Sequence, residues 1–183
     1  DIAKFRGQYV DDLVIKASLQ NIDGIGGTLG QAGPTHIRSD GYLPVAAIMQ
    51  FDVADATELD RVGLWDDVVL HEMIHCLGFG TLWDMMGLVD NIGTGGSIDY
   101  RFNGEAANQA LAEVYPELVD GFGVMIESDG GPGTAGGHWD EATFGNELMT
   151  GYIDNGVNVL SDVTIASLED MGYQTTWGDG LIV

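Results

Sequence analysis

Leu64-Trp65-Asp66-Asp67-Val68-Val69-Leu70-His71-Glu72-Met73-Ile74-His75-Cys76-Leu77 runs into Gly78-Phe79-Gly80. Apolar residues at Leu64, Val68, Leu70, Met73, Ile74 and Leu77 recur with helical period, and Asp66 and Asp67 fall in the first turn, where acids suit the helix dipole. The stretch predicts a helix over 64–77. Gly78 stands where a left-handed stop is expected. Residues four apart share a helix face about 6 Å apart along the axis, so both imidazoles can reach one zinc ion at ~2.0–2.1 Å. Glu72 lies ~100° round the helix from His71, badly placed as a third ligand but near enough to touch a water on the metal. Its expected role is general base. Val69, Leu70, Met73, Ile74 and Leu77 are expected to bury, with His71 and His75 together on the other side. The plainer alternative is a helix with two partly exposed histidines and a glutamate.

A catalytic zinc usually takes three protein ligands and keeps one open position, so the helix is one ligand short. Of the four histidines only His36 and His138 remain, beside any Asp or Glu that folding brings in. His138 follows the glycine-rich run Gly130–Gly137 within His138-Trp139-Asp140-Glu141, whereas His36 lies in an extended segment and reads as a surface histidine. His138 is favoured.

Outward from the helix, Asp12–Leu19 and Val45–Phe51 have strand character, with Pro34–Ile37 as a third extended segment pairing with one of them. Val45–Phe51 is expected to form the cleft edge, on which an extended peptide would lie by β-augmentation. Glu105–Val114 predicts a second helix, Gly123–Glu127 a short strand, and Ser161–Met171 a third helix with Ser161 as N-cap. Glycine clusters at Gly24–Gly33, Gly93–Gly96 and Gly130–Gly137 read as loops. No repeat or linker divides the chain.

The 183 residues, 45% apolar and 19% charged, suffice for one globular domain with a real core. Six Lys and Arg against 29 Asp and Glu leave a net charge of −23, which repels nucleic acid and anionic membranes. No run approaches the ~18 apolar residues that a spanning helix needs. Cys76 is the only cysteine, so no internal disulfide forms, and its place on the helix suggests a buried, inert thiol. Asp outnumbers Glu by 20 to 9, which suits a secreted protein in a calcium-bearing or salty medium. Asp52, Asp55 and Asp60, and Asp90 and Asp99, are candidate calcium donors, but none shows EF-hand spacing, so solvated surface charge is the expectation. At the start, Asp1-Ile2-Ala3-Lys4, no signal-peptide pattern is visible, and the chain reads as a mature or excised piece.

His71-Glu72-x-x-His75-x-x-Gly78-Phe79 resembles the metzincin motif as it occurs in the leishmanolysin-like metallopeptidases of bacterial type. In typical metzincins the third histidine follows three residues after the glycine. Here that position is Thr81, and 62 residues separate His75 from His138, in keeping with the long insert of the leishmanolysin-like group. Glu147-Leu148-Met149-Thr150-Gly151 is similar to the family's Met-turn and Ser161–Tyr173 to its closing helix, so the likeness runs from about Asp11 to Trp177.

The resemblance implies an α+β, zincin-like catalytic domain, with a twisted mixed sheet, the active-site helix above a cleft and a loop-rich half below. Residues 1–78 would form the upper subdomain with the sheet and helix. Residues 79–183 would form the lower, with the third ligand, Met-turn and closing helix. It implies zinc on His71, His75 and His138, structural support from Gly78 and Met149, and cleavage of polypeptides with Glu72 as base. Two features depart from the pattern. A strand and a long backing helix are expected before Asp11, so the chain reads as truncated or processed. Tyr152 lies three residues after Met149, not two, so a zinc-side role is not carried over and an ordinary packed tyrosine is expected. The rival from another class is a zinc-stabilised, non-catalytic binding module, against which the intact Glu72 argues.

Overall fold

The computed structural model describes residues 3–177; Asp1 and Ile2 at the charged start, and positions 178–183 of the 79–183 half, lie outside the described residues. The chain forms two compact units, one ending at Thr81 and the other beginning at Leu82. Both mix helix and sheet, giving an α+β chain with several small sheets.

The first unit opens with a hairpin of β1 (Ala3–Phe5) and β2 (Gln8–Val10), followed by β3 (Val14–Gln20), β4 (Gly30–Ile37), β5 (Pro44–Asp52), α1 (Val53–Val62) and α2 (Trp65–Cys76). Its main sheet has the order β3-β5-β4, with β3 parallel and β4 antiparallel to β5. The expected edge strand is therefore the central one. Val45, Ala46, Ala47, Met49 and Phe51 are all buried, and a near-continuous apolar strand is what burial on both faces selects. The edges are β3 and β4, and in β4 Pro34 has no N–H to donate and so suits an outer position. β4 also starts four residues earlier than expected, at Gly30, inside a stretch that reads as loop.

Helix α1 occupies a segment read from sequence as acidic surface, and the reason is Asp52. Its Oδ1 accepts from Ala54 N at 2.7 Å as the N-cap, while Oδ2 accepts from the N–H groups of Ile22, Asp23 and Gly24 at 2.8–3.0 Å. Those bonds hold the carboxyl down at about 2, the Ala54 bond most of all. Asp55 is buried too and accepts from Gly26 N at 2.8 Å. Solvated charge is thus the wrong description of Asp52 and Asp55, although Asp60 is exposed.

Helix α2 packs against β4 and β5, and its buried side differs from expectation. Val68, Glu72, Ile74, His75 and Cys76 are buried, whereas Leu70 and Met73 are 39% and 42% exposed. Positions 68, 72 and 76 follow the i, i+4, i+8 spacing of one face, and the sheet meets that face at Glu72, beside Gly30 of β4, and at Cys76, beside Ile48 of β5. Cys76 donates to Ile48 O at 3.5 Å, and burial, with Glu72 nearby, lifts its thiol to about 11, so it is inert.

The second unit contains α3 (Trp83–Met86), β6 (Val89–Asn91), β7 (Tyr100–Phe102), α4 (Glu105–Val114), a 3₁₀ turn at Pro116–Leu118, β8 (Val124–Met125), α5 (Glu141–Phe144) and α6 (Asp162–Asp170). β6, β7 and β8 form an antiparallel sheet in that order. The expected strand over 123–127 stops at Met125: Ile126 N still donates to Tyr100 O of β7, but Ile126 also bridges to Trp139, and Glu127 N donates to His138 O. Trp83, Phe102 and Trp139 make the aromatic centre of this unit, with ring centroids 4.9–5.6 Å apart. α4 packs on α6, and the Asp170 carboxylate accepts from Ala106 N and Ala107 N, capping α4 from 64 residues away where Gly104 offers no side chain.

Candidate metal centre

The stop of α2 orients its second histidine. Leu77 N donates to Met73 O and Ile74 O, and Gly78, at φ 102°, turns the chain in a conformation that a side chain would strain. Phe79 O then lies 3.0 Å from His75 Nδ1. A carbonyl only accepts, so Nδ1 carries the proton and the neutral ring keeps its lone pair on Nε2. That Nε2 is 2.9 Å from His71 Nε2, and the two rings stand edge to face at 4.6 Å. Ring nitrogens pointed at each other on one helix face suit a chelate.

Glu72 sits between the two histidines in sequence and faces β4. It is only 4% exposed, and its Oε2 has no hydrogen-bond partner. Burial pushes its carboxyl up to about 8. A Cβ on Gly30 would stand 2.6 Å from Glu72 Oε1 and 2.9 Å from Cδ, so glycine at the head of β4 makes the room this carboxylate occupies. Gly30 escaped the sequence reading, because a glycine beginning an edge strand looks the same as one in a loop.

In the second unit His138 repeats the pattern of His75. Its Nδ1 donates to Thr134 O at 2.9 Å, which leaves Nε2 as the lone-pair nitrogen, and burial holds its pKa below the usual histidine value. Among the described residues, His71, His75 and His138 form a group that could hold a metal ion: each offers one ring nitrogen, and these atoms all lie within 4.8 Å of one another. His36 is apart from this group; it is exposed on β4, 3.2 Å from Thr35 Oγ1 and edge-on to the Phe5 ring at 4.6 Å.

Met149 is fully buried in the turn 147–150 and its carbonyl accepts from Trp139 N at 3.0 Å. Tyr152 is 55% exposed rather than packed, since the chain leaves the core directly after Thr150. Of the acids considered for calcium, Asp99 pairs with Arg101 at 2.8 Å and Asp90 accepts from Asn103 at 2.9 Å. No helix among the described residues is long and apolar enough to cross a membrane.

Residues 10–179 match the family model described as Leishmanolysin. The chain is 27% identical over 136 residues to the ciliated left-right organizer metallopeptidase of Xenopus laevis, covering 62% of this chain and 19% of that protein. It is 38% identical over 68 residues to the leishmanolysin-like peptidase of Drosophila melanogaster, covering 32% of this chain and 10% of that protein. The chain thus spans less than a fifth of the length of these curated relatives.

Proposed function

The chain belongs to the leishmanolysin family, and from that premise we propose that it is a zinc-dependent endopeptidase of metzincin type, with His71, His75 and His138 as ligands and Glu72 as general base. The donor set fits: two buried histidines spend Nδ1 on a carbonyl and keep Nε2 for an ion, an orientation typical of metal-ligating imidazoles. When bound, zinc supplies a Lewis acid that polarises the scissile carbonyl and acidifies water.

The remaining work falls to side chains of this protein. Glu72 takes a proton from the attacking water at a carboxylate oxygen and returns it to the leaving amine. Its burial raises its basicity, so it can hold that proton between the two transfers, while a nearby cation would draw it back toward the ionised form needed at the start. The outer edge of β4 offers unpaired main-chain groups to an extended polypeptide, which would add a strand to the sheet there. Met149 props the turn beside the His138 segment and touches no substrate in this scheme.

The observation that carries the reading is a buried carboxylate with an unpartnered oxygen, one residue from a histidine whose Nε2 is turned to a second histidine's. A casein-type substrate tests it: hydrolysis should vanish with a chelator and return with zinc. A protein that binds zinc tightly yet cleaves nothing would instead be the non-catalytic binding module.

A further inference from the structure

Glu147 is 3% exposed, and its carboxylate is surrounded by donors rather than by a cation. Its Oε2 accepts from Met149 N at 2.5 Å; its Oε1 accepts from Ser161 N at 3.2 Å, Ser161 Oγ at 2.7 Å and Thr164 Oγ1 at 2.5 Å. The charge lies at the N-terminus of α6, where the helix dipole favours an anion. Burial still pushes its pKa above its ordinary value, against the pull of these bonds. An acid kept at that cost is expected to have work beyond filling space.

The bonds lead to one residue. Thr164 donates its single hydroxyl proton to Glu147 Oε1, so its lone pairs point away from the carboxylate. One of them accepts the indole Nε1–H of Trp139 at 2.7 Å. The second path is main chain: Glu147 binds the N–H of Met149, and Met149 O accepts from Trp139 N at 3.0 Å. Trp139, fully buried, is thus held at its ring and at its backbone by groups that Glu147 orients, and the residue before it is His138. His138 itself donates from Nδ1 to Thr134 O and accepts the Glu127 N–H at its carbonyl.

We propose that Glu147 is the positioning residue for His138: through Thr164, Met149 and Trp139 its carboxylate fixes the place and direction of that imidazole for metal binding. The inference rests on the reading of His138 as a ligand. Such outer contacts typically tune metal affinity by ~10–100-fold.

The test is zinc affinity, by competition with a chromophoric chelator, on the full chain and at a temperature where circular dichroism shows each variant folded. Cobalt-substituted protein adds a visible spectrum that reports ligand geometry. Glu147→Gln and Thr164→Val should each weaken zinc by about 10–100-fold and shift the cobalt bands, and Thr164→Ser, which keeps the hydroxyl, should bind as the parent does. In a His138→Ala background, Glu147→Gln should cost no further affinity. Folded Glu147→Gln and Thr164→Val proteins that bind zinc like the parent, or full additivity with His138→Ala, would overturn the proposal and leave Glu147 a purely structural hub. If Glu147→Gln does not fold, the Thr164→Val and Thr164→Ser pair decides alone. Failure of the parent reading looks different, since His138→Ala itself would then leave zinc affinity intact.

Discussion

Helix α2 and the segment around His138 reach the same end, a buried imidazole with Nδ1 committed to a carbonyl, by opposite means. In α2 the placement is local: His71 and His75 are one helical turn apart, and the turn at Gly78 returns Phe79 O to His75 within four residues. Around His138 no regular element does the work. Its neighbour Trp139 is bridged to Ile126 and Thr150, and the bonds that orient it run through Met149 and Thr164 to Glu147. Geometry written within one turn survives most changes elsewhere in the chain. Geometry assembled from residues up to 25 positions away is open to disruption at each link.

The largest expected effect separates chemistry from placement inside α2. Glu72→Gln keeps size and helix propensity but cannot take the water's proton, so peptide hydrolysis should fall by ~10²–10⁴-fold or more while zinc remains bound. Retained activity would remove the mechanism and leave a chelating helix. Next comes His138, the proposed distant ligand. Spread over its ligands, the binding free energy of a protein-bound zinc makes one imidazole worth on the order of 10²–10³-fold in affinity. His138→Ala should lose that much, together with activity, whereas His36→Ala, on an exposed face of β4, should change neither. If His36→Ala empties the site and His138→Ala does not, the contrast between local and distant ligands disappears.

A smaller effect is expected at Gly30, where the carboxylate of α2 meets the strand beside it. A methyl group there would stand 2.6 Å from Glu72 Oε1 and 2.9 Å from its Cδ, so Gly30→Ala must push the carboxylate aside. Displacements of this size cost catalysis roughly 10–10²-fold. Zinc affinity and melting temperature should stay near those of the parent. A variant with full hydrolysis would show that Glu72 has slack the structure does not suggest.

The same division decides what the sequence disclosed. The spacing of His71, Glu72 and His75, the glycine stop and the capped helix at Ser161 are short-range features, and they could be read directly. The long-range ones could not. Val45–Phe51 looked like an edge because its apolar run says only that it is buried, while the edges belong to β3 and β4, for the latter of which Pro34 was the available signal. Helix α1 was hidden because Asp52 and Asp55, which read as solvated acids, are buried acceptors for a loop about 30 residues earlier. Leu70 and Met73 were assigned to the core by hydrophobicity alone, although the sheet covers the Glu72 side of α2 instead. His138 was reachable through composition and family likeness, but nothing local in the sequence announces the Glu147, Thr164 and Trp139 relay that holds its neighbour.

Asp52 joins both kinds of placement in a single side chain, and it gives the finest test of their difference. One oxygen caps α1 two residues away, and the other gathers the N–H groups of Ile22, Asp23 and Gly24. Asparagine is also a good N-cap, so Asp52→Asn should preserve the local function and weaken only the charge-assisted hold on the distant loop, lowering the melting temperature by a few degrees at pH 7. The pH dependence follows from the sign of the shift. Because the folded carboxyl titrates at about 2, below its ordinary 3.8, its stabilisation is fully present above pH ~4 and fades as the pH falls toward 2. Melting curves of parent and variant should therefore converge between pH 4 and pH 2. A gap that stays constant over that interval would mean that shape rather than charge holds the loop, and Asp52 would then belong with the local determinants alone.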